Sequence, residues 1–353
     1  MNKIRLGVVR ADTHGYYFGM MIDDLDPLKL SKTNYVIHYY GTSIYDPKIT
    51  TMPKVSGFEI VNVFDKDLDM ARGFSETFHG KPKVCKTLEE TAEDIDAVFI
   101  ADCDGGGMDH LELARPFLKK GLPTFVDKPF ATTLKDAKEI VRLAKENNVL
   151  LYNSSILSVV PAADHFRNRF AEISHAYYPV PAEKSSLPIG LGVIKGVGGA
   201  FSQELAGKPV TGGIEERLAY IIHGVSLALN LFGKDVEWVE AMGSLPLEYL
   251  HLHMASGVEA MVLNTAVDIF PEYCNFYVSA YSKHGAVHSS EIGDHEFLGG
   301  GQRIMENFRD MINSGKPPVS HNDMIRPIAV VEAGQLAQME GRKVYLKDVW
   351  QEQ

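Results

Sequence analysis

Three cysteines in 353 residues, Cys85, Cys103 and Cys274, stand far apart and in no paired spacing. An odd, scattered set of this kind gives neither a disulfide framework nor a cysteine-based metal site, and it suits a reducing compartment. Clustered basic charge is missing as well. Lys and Arg number 35 against 46 Asp and Glu, a net charge of −11, which argues against a nucleic-acid or anionic-membrane surface and leaves small neutral or polar substrates open. No apolar run approaches the length that spans a bilayer. The first nine residues read at once as a strand, without the basic start and long apolar core of a secretion signal, so the cytoplasm is the expected location.

What is present is apolar residue enough for two cores, 45% of a chain that is too long for one. We expect a first domain over residues 1–152 and a second over 153–353. Strands and helices alternate through the first: strand 4–9, helix 15–25, strand 59–64, helix 68–78, strand 96–101 and helix 110–120. Such alternation predicts an α/β fold with a Rossmann-like, doubly wound parallel sheet. Residues 26–57 form an insertion, with a strand-like run at 35–40 and a candidate lid at 48–57 whose function the sequence does not reveal.

The most informative segment is Gly121-Leu-Pro-Thr-Phe-Val-Asp-Lys-Pro-Phe130. It joins a helix stop, a short apolar strand and a Lys-Pro step. This puts Lys128 at the carboxyl edge where ligands of open α/β sheets collect, with Pro129 restricting the backbone after it. Thr133 then caps a helix, with Asp136 three residues on and Ala137, Ile140, Val141 and Ala144 as its buried stripe.

Asp127-Lys128-Pro129 in this setting resembles the Glu-Lys-Pro junction of the glucose-fructose oxidoreductase / inositol dehydrogenase family. The likeness runs from the opening strand to Gly341-Arg-Lys-Val-Tyr-Leu346. It implies a dinucleotide-binding first domain and contacts to the cofactor from Asp127 and Lys128, with NAD in preference to NADP on account of Asp65. Dinucleotide folds carry Gly-x-Gly-x-x-Gly after the first strand. Here Arg10-Ala-Asp-Thr-His-Gly15 stands in that place, so Asp12, Thr13, His14 and Gly15 are candidate phosphate contacts, and capping of the helix by Asp12 or Thr13 is equally open. Asp65, with Lys66 after it, ends the next strand, where an acid accepts hydrogen bonds from an adenosine ribose and repels a 2′-phosphate; a cap for helix 68–78 is the alternative. Cys103 and Asp104 occupy the turn that lies under the nicotinamide ribose in the family. His110 matches a family position and is otherwise a solvated helix cap.

The second domain reads as helix 161–170, a loop-rich stretch at 177–213 and helix 215–232 with Leu218, Ile221, Ile222, Val225 and Leu229 as its core stripe. Period-2 segments follow, predicting an open-faced, mostly antiparallel sheet, and then helices at 303–314 and 329–338, the second packing back on the first domain. In the family a Gly-Gly turn precedes Asp-x-x-x-His on the long helix. Gly212-Gly213 and His223 match, the Asp position is Ala219, and Glu216 or Tyr220 is left to orient the imidazole. His251 and His253 share a strand face, but without further ligands at readable spacing no metal is expected.

The resemblance therefore implies hydride transfer between NAD and a sugar, cyclitol or related polyol. Lys128 and His223 are its catalytic pair, Tyr220 supports them, and the open sheet face serves a homo-oligomer. Two other readings stay open: an NAD-dependent, net non-redox cleavage of glycosides, and a binding or scaffold protein that has lost catalysis.

Overall fold

The computed structural model describes residues 3–33, 52–101, 106–175, 191–197, 214–244, 247–265, 276–282 and 285–351. The chain forms two compact units, Met1–Ser154 with Gly301–Met324, and Ser155–Gly300 with Ile325–Gln353. A break at residue 152 would leave residues 301–324 in the second half, whereas they return to the first unit. Residues 329–338 lie within the second unit.

Unit 1 is built on six parallel strands in the order β3-β2-β1-β4-β5-β6. They are β1 (Ile4–Val9), β2 (Phe58–Phe64), β3 (Lys83–Cys85), β4 (Ala97–Ile100), β5 (Thr124–Val126) and β6 (Leu151–Tyr152). The order reverses between β1 and β4, so their carboxyl ends flank the topological switch point. Parallel strands covered on both faces are apolar throughout, and β4 is buried at all four positions.

The connecting helices are α1 (Thr13–Ile22), α2 (Pro27–Leu30), α3 (Leu68–Thr77), α4 (Leu88–Thr91), α5 (His110–Lys120) and α6 (Leu134–Glu146). In α6 the Thr133 hydroxyl accepts from the Asp136 amide at 3.1 Å, and the expected stripe is buried. The short β3 and α4 carry no periodic signal and were not expected. Of the expected insertion, residues 34–51 lie outside the described residues.

Register places Phe99 beside Phe125 and Phe125 beside Tyr152. Their rings stack at 4.9 and 5.2 Å, and Phe18 of α1 meets Phe99 edge-on at 5.2 Å. Each such pair adds roughly 0.5–1.5 kcal/mol beyond burial. The stack immobilises β5, and with it the residues that follow Val126.

Unit 2 carries a seven-stranded sheet in the order β12-β11-β7-β10-β9-β8-β13. Its strands are β7 (Leu191–Val197), β8 (Val236–Ser244), β9 (Leu247–Met254), β10 (Glu259–Thr265), β11 (Phe276–Ser282), β12 (Gly285–His288) and β13 (Val344–Tyr345). Every pairing is antiparallel except β7 with β10. β7 corrects the expected loop: Gly192 and Gly196 lower its strand propensity, yet it lies inside the sheet between β11 and β10.

The remaining helices are α7 (Ile156–Val159), α8 (Pro161–His175), α9 (Ile214–Phe232), α10 (Asp294–Ser314), α11 (His321–Glu340) and α12 (Leu346–Gln351). α10 starts nine residues before the expected helix because the run Gly299-Gly-Gly301, which reads as a break, is helical. A Cβ on Gly300 would lie 2.6 Å from Ile156, so close packing rather than a turn explains that glycine. β9 alternates as expected, with Leu250, Leu252 and Met254 buried. On its other face His251 and His253 both bond Glu259, at 2.7 and 2.6 Å. Among the described residues no helix is long and apolar enough to cross a membrane.

Candidate active site

The carboxyl edge of the unit 1 sheet is where the candidate residues gather. β1 ends at Val9, and Arg10 turns the chain with φ +76°, a conformation that costs any non-glycine residue about 1–3 kcal/mol. Ala11 donates its amide to Asp65 Oδ2 at 2.8 Å. Asp12 is the N-cap of α1, accepting from the amides of His14 and Gly15 at 3.1 and 3.2 Å. At Gly15 the strand and helix approach so closely that a Cβ would lie 2.7 Å from the Arg10 carbonyl. That is the packing role of the third glycine in the dinucleotide fingerprint.

β5 delivers the Lys-Pro step. Asp127 is 1% exposed, its amide donates to the Ile100 carbonyl at 2.9 Å, and its carboxylate pairs with the His14 imidazole through Nδ1. Burial pushes the Asp127 carboxyl up, but the His14 imidazole and the Lys128 ammonium beside it and their hydrogen bonds outweigh burial and hold it below the usual carboxylate range. Lys128 is 7% exposed and joined to Pro129 by a cis peptide. Asn153, just past β6, donates to the carbonyls of Val126 and Asp127 at 2.8 and 2.9 Å, fixing this strand end from the other side.

His110 is fully buried, and its Nδ1 donates to the Pro129 carbonyl at 2.8 Å. Burial holds its pKa below the ordinary imidazole value, against the pull of Asp127. The expected solvated cap is thus a neutral clamp on the Lys-Pro step. A Cβ on Gly107 would lie 2.8 Å from the same carbonyl, so the loop ahead of α5 is packed directly on Pro129.

Asp65 ends β2 as expected. Both its oxygens are engaged within unit 1, Oδ2 by Ala11 and Oδ1 by the Asp67 amide at 2.9 Å. The cap of α3 is Asp67, not Asp65. Lys66 reaches Asp109 Oδ2 at 2.5 Å, and the Arg10 guanidinium meets the same oxygen at 2.5 Å. Asp109 was missed in the sequence; its only signal there is its place just before a helix. Thr13 opens α1, half-buried. Cys103 and Asp104 lie outside the described residues.

In unit 2, His223 of α9 hydrogen-bonds through Nδ1 to the Ser155 hydroxyl at 2.9 Å. Ser155 lies 68 residues away from His223, so sequence spacing could not have found this partner. The side chain of Tyr220, like that of Glu216, is outside the described residues.

A dinucleotide requires a tight turn after β1, cations for its phosphates and a polar group over its nicotinamide. The turn is present at Arg10 to Gly15, Arg10 and Lys66 supply cations, and Lys128 supplies the polar group. This donor set fits the cofactor. One charge opposes it: Asp12 already takes two of the α1 amides that a pyrophosphate would use.

Residues 40–155 match the family model described as an oxidoreductase family with an NAD-binding Rossmann fold. A scyllo-inositol 2-dehydrogenase (NADP(+)) of Bacillus subtilis (strain 168) is 27% identical over 123 residues, a stretch that is 34% of this chain and 37% of that protein. Among solved structures, myo-inositol 2-dehydrogenase from Lactobacillus plantarum aligns over 98% of this chain and 99% of its own, with a TM-score of 0.72 at 14% identity. Myo-inositol dehydrogenase from Lactobacillus casei, solved with NAD(H) and myo-inositol, aligns over 97% and 96%, with a TM-score of 0.69 at 17% identity. Over residues 40–155 the chain is thus similar to an oxidoreductase family with an NAD-binding Rossmann fold, and over its whole length it shares the fold of these solved dehydrogenases.

Proposed function

We propose that this chain is a nicotinamide-dinucleotide-dependent dehydrogenase acting on a hydroxyl-bearing carbon of a sugar, cyclitol or related polyol. The observation that carries this reading is Lys128, buried at the carboxyl end of β5 beside an Asp127 that is held charged. Inositol dehydrogenases among the relatives support the substrate class, and both NAD(H) and NADP(+) occur in their names. The dinucleotide, when bound, accepts or returns the hydride. Arg10, at the turn after β1, would stand beside its phosphates, and Lys128 stands at the nicotinamide end.

Lys128 donates a hydrogen bond to the reacting oxygen and stabilises the negative charge that develops on it. His110 and Asn153 fix the backbone on which Lys128 is mounted. By the family resemblance His223, whose Nδ1 bonds the Ser155 hydroxyl, is the group expected to take or return the hydroxyl proton. The same reading makes the protein a cytoplasmic homo-oligomer; a single-chain mass in light scattering would count against the second part.

The test has two stages. Fluorescence titration with NADH and NADPH should show saturable binding, and myo-inositol, scyllo-inositol and glucose should then be screened by nicotinamide absorbance. Lys128→Met should lower kcat roughly 10²–10³-fold while the melting temperature stays within a few degrees. Absence of binding at millimolar dinucleotide would favour a scaffold. Turnover unchanged in Lys128→Met would remove that residue from the chemistry.

A further inference from the structure

We propose that the crevice of unit 1 selects the 2′-phosphorylated dinucleotide, NADP(H), through Lys66 and Arg10; this rests on the dinucleotide reading above and goes against the preference for NAD that Asp65 suggests in the sequence. An acid ending the second strand selects NAD by accepting the ribose hydroxyls and repelling a phosphate. Asp65 is poorly placed to do so. It is 8% exposed, with one oxygen on the Ala11 amide and the other on the Asp67 amide, so its carboxylate closes the turn after β1.

The residue that follows, Lys66, has a side chain 57% exposed and is an accessible cation at the end of β2. From the adjoining end of β1, Arg10 sends its guanidinium to the same place. The two cations converge on one oxygen, Asp109 Oδ2, each at 2.5 Å. An anion-holding pair is therefore already assembled over the ends of β1 and β2, where the adenosine ribose of a dinucleotide lies. A phosphate offers three oxygens in place of that one. Arg10 engages such a group with a planar fork, and Lys66 with a flexible point charge.

Arg10 carries a second sign of function. It occupies the first glycine position of the fingerprint and holds φ +76°, a conformation that glycine adopts without strain. A long cationic side chain at a strained position is best explained by what that side chain contacts. Asp65 also lies 3.9 Å from the Arg10 guanidinium, and Asp109 neutralises part of the pair, so the site is balanced until a phosphate displaces Asp109.

The experiment is a fluorescence titration of wild type, Lys66→Ala and Asp109→Asn with NADPH and with NADH, backed by calorimetry with 2′,5′-ADP and 5′-ADP, which report the adenosine end alone. Wild type should bind NADPH at least ten-fold more tightly than NADH. Lys66→Ala should weaken NADPH and 2′,5′-ADP about ten-fold and leave NADH within two-fold, because Lys66 is exposed and its loss does not disturb the fold. Asp109→Asn should tighten NADPH by releasing both cations. Equal or tighter binding of NADH by wild type overturns the proposal, as does a Lys66→Ala variant that weakens both dinucleotides alike. If neither dinucleotide binds, the dinucleotide reading itself falls, and the selectivity falls with it.

Discussion

Replacing Asp12 with Gly tests whether a dinucleotide uses the amino end of α1. In the structure one Asp12 oxygen takes the amides of His14 and Gly15 at 3.1 and 3.2 Å, the position a phosphate oxygen would hold. A pyrophosphate bound with Asp12 in place must stand off by about a van der Waals diameter, leaving the two anions ~5 Å apart. Coulomb's law gives their repulsion as about 0.8 kcal/mol per unit charge at a dielectric of 80 and about 3.3 kcal/mol at 20. Asp12→Gly should therefore tighten dinucleotide binding roughly 10- to 100-fold, or about 1.4–2.7 kcal/mol. The cost in stability should be only a few tenths of a kcal/mol, since glycine is tolerated at an N-cap. Asp12→Asn, which keeps a capping side chain but loses the charge, separates repulsion from occupancy of the amides. Fluorescence titration with NADPH and NADH, paired with thermal melts, reads both quantities. Unchanged or weaker affinity in both variants would refute the reasoning and place the phosphates elsewhere.

Gly15→Ala forces a Cβ to within 2.7 Å of the Arg10 carbonyl and should destabilise the protein by about 1–3 kcal/mol in urea unfolding. His110, held neutral by burial, binds a proton more readily when unfolded. Stability should therefore fall as pH drops below about 6.5, by at most ~1.4 kcal/mol per pH unit, and His110→Gln should flatten that slope in melts at pH 5 and 7. Ser155→Ala removes the group that orients His223, so kcat should fall about ten-fold while dinucleotide affinity is kept; a loss of affinity without a loss of kcat would contradict this role.

The sequence revealed elements wherever one period was strong. α6, with its Thr133 cap and buried stripe, and α5, bounded by His110 and Lys120, were legible because local and tertiary preferences agree there. The misses arose where glycine serves packing: β7 hides behind Gly192 and Gly196, and the first turns of α10 behind a Gly-Gly-Gly run. At the site, Lys128 was visible through its motif. The pairs His14–Asp127, Arg10–Asp109 and Ser155–His223 were not, because each joins residues 68 to 113 apart and leaves no spacing to read.

The absence of the glycine fingerprint looks from the sequence like loss of the nucleotide site, yet the turn has kept its shape by other means. Arg10 supplies the left-handed residue at a conformational cost, Gly15 retains the close approach, and two carboxylates satisfy the amides of Ala11, His14 and Gly15. Glycines leave those amides open to a ligand. Carboxylates satisfy them in the free protein and must yield when an anion arrives. Such a turn is more stable empty and binds more weakly for the same contacts, so cations nearby have to restore the affinity. Arg10 at the turn itself, and Lys66 where the dinucleotide carries a 2′-phosphate, are the groups placed to do that, both drawn to Asp109 in the free protein. If they were only structural ion pairs, Asp109→Asn would destabilise the fold and leave dinucleotide affinity untouched.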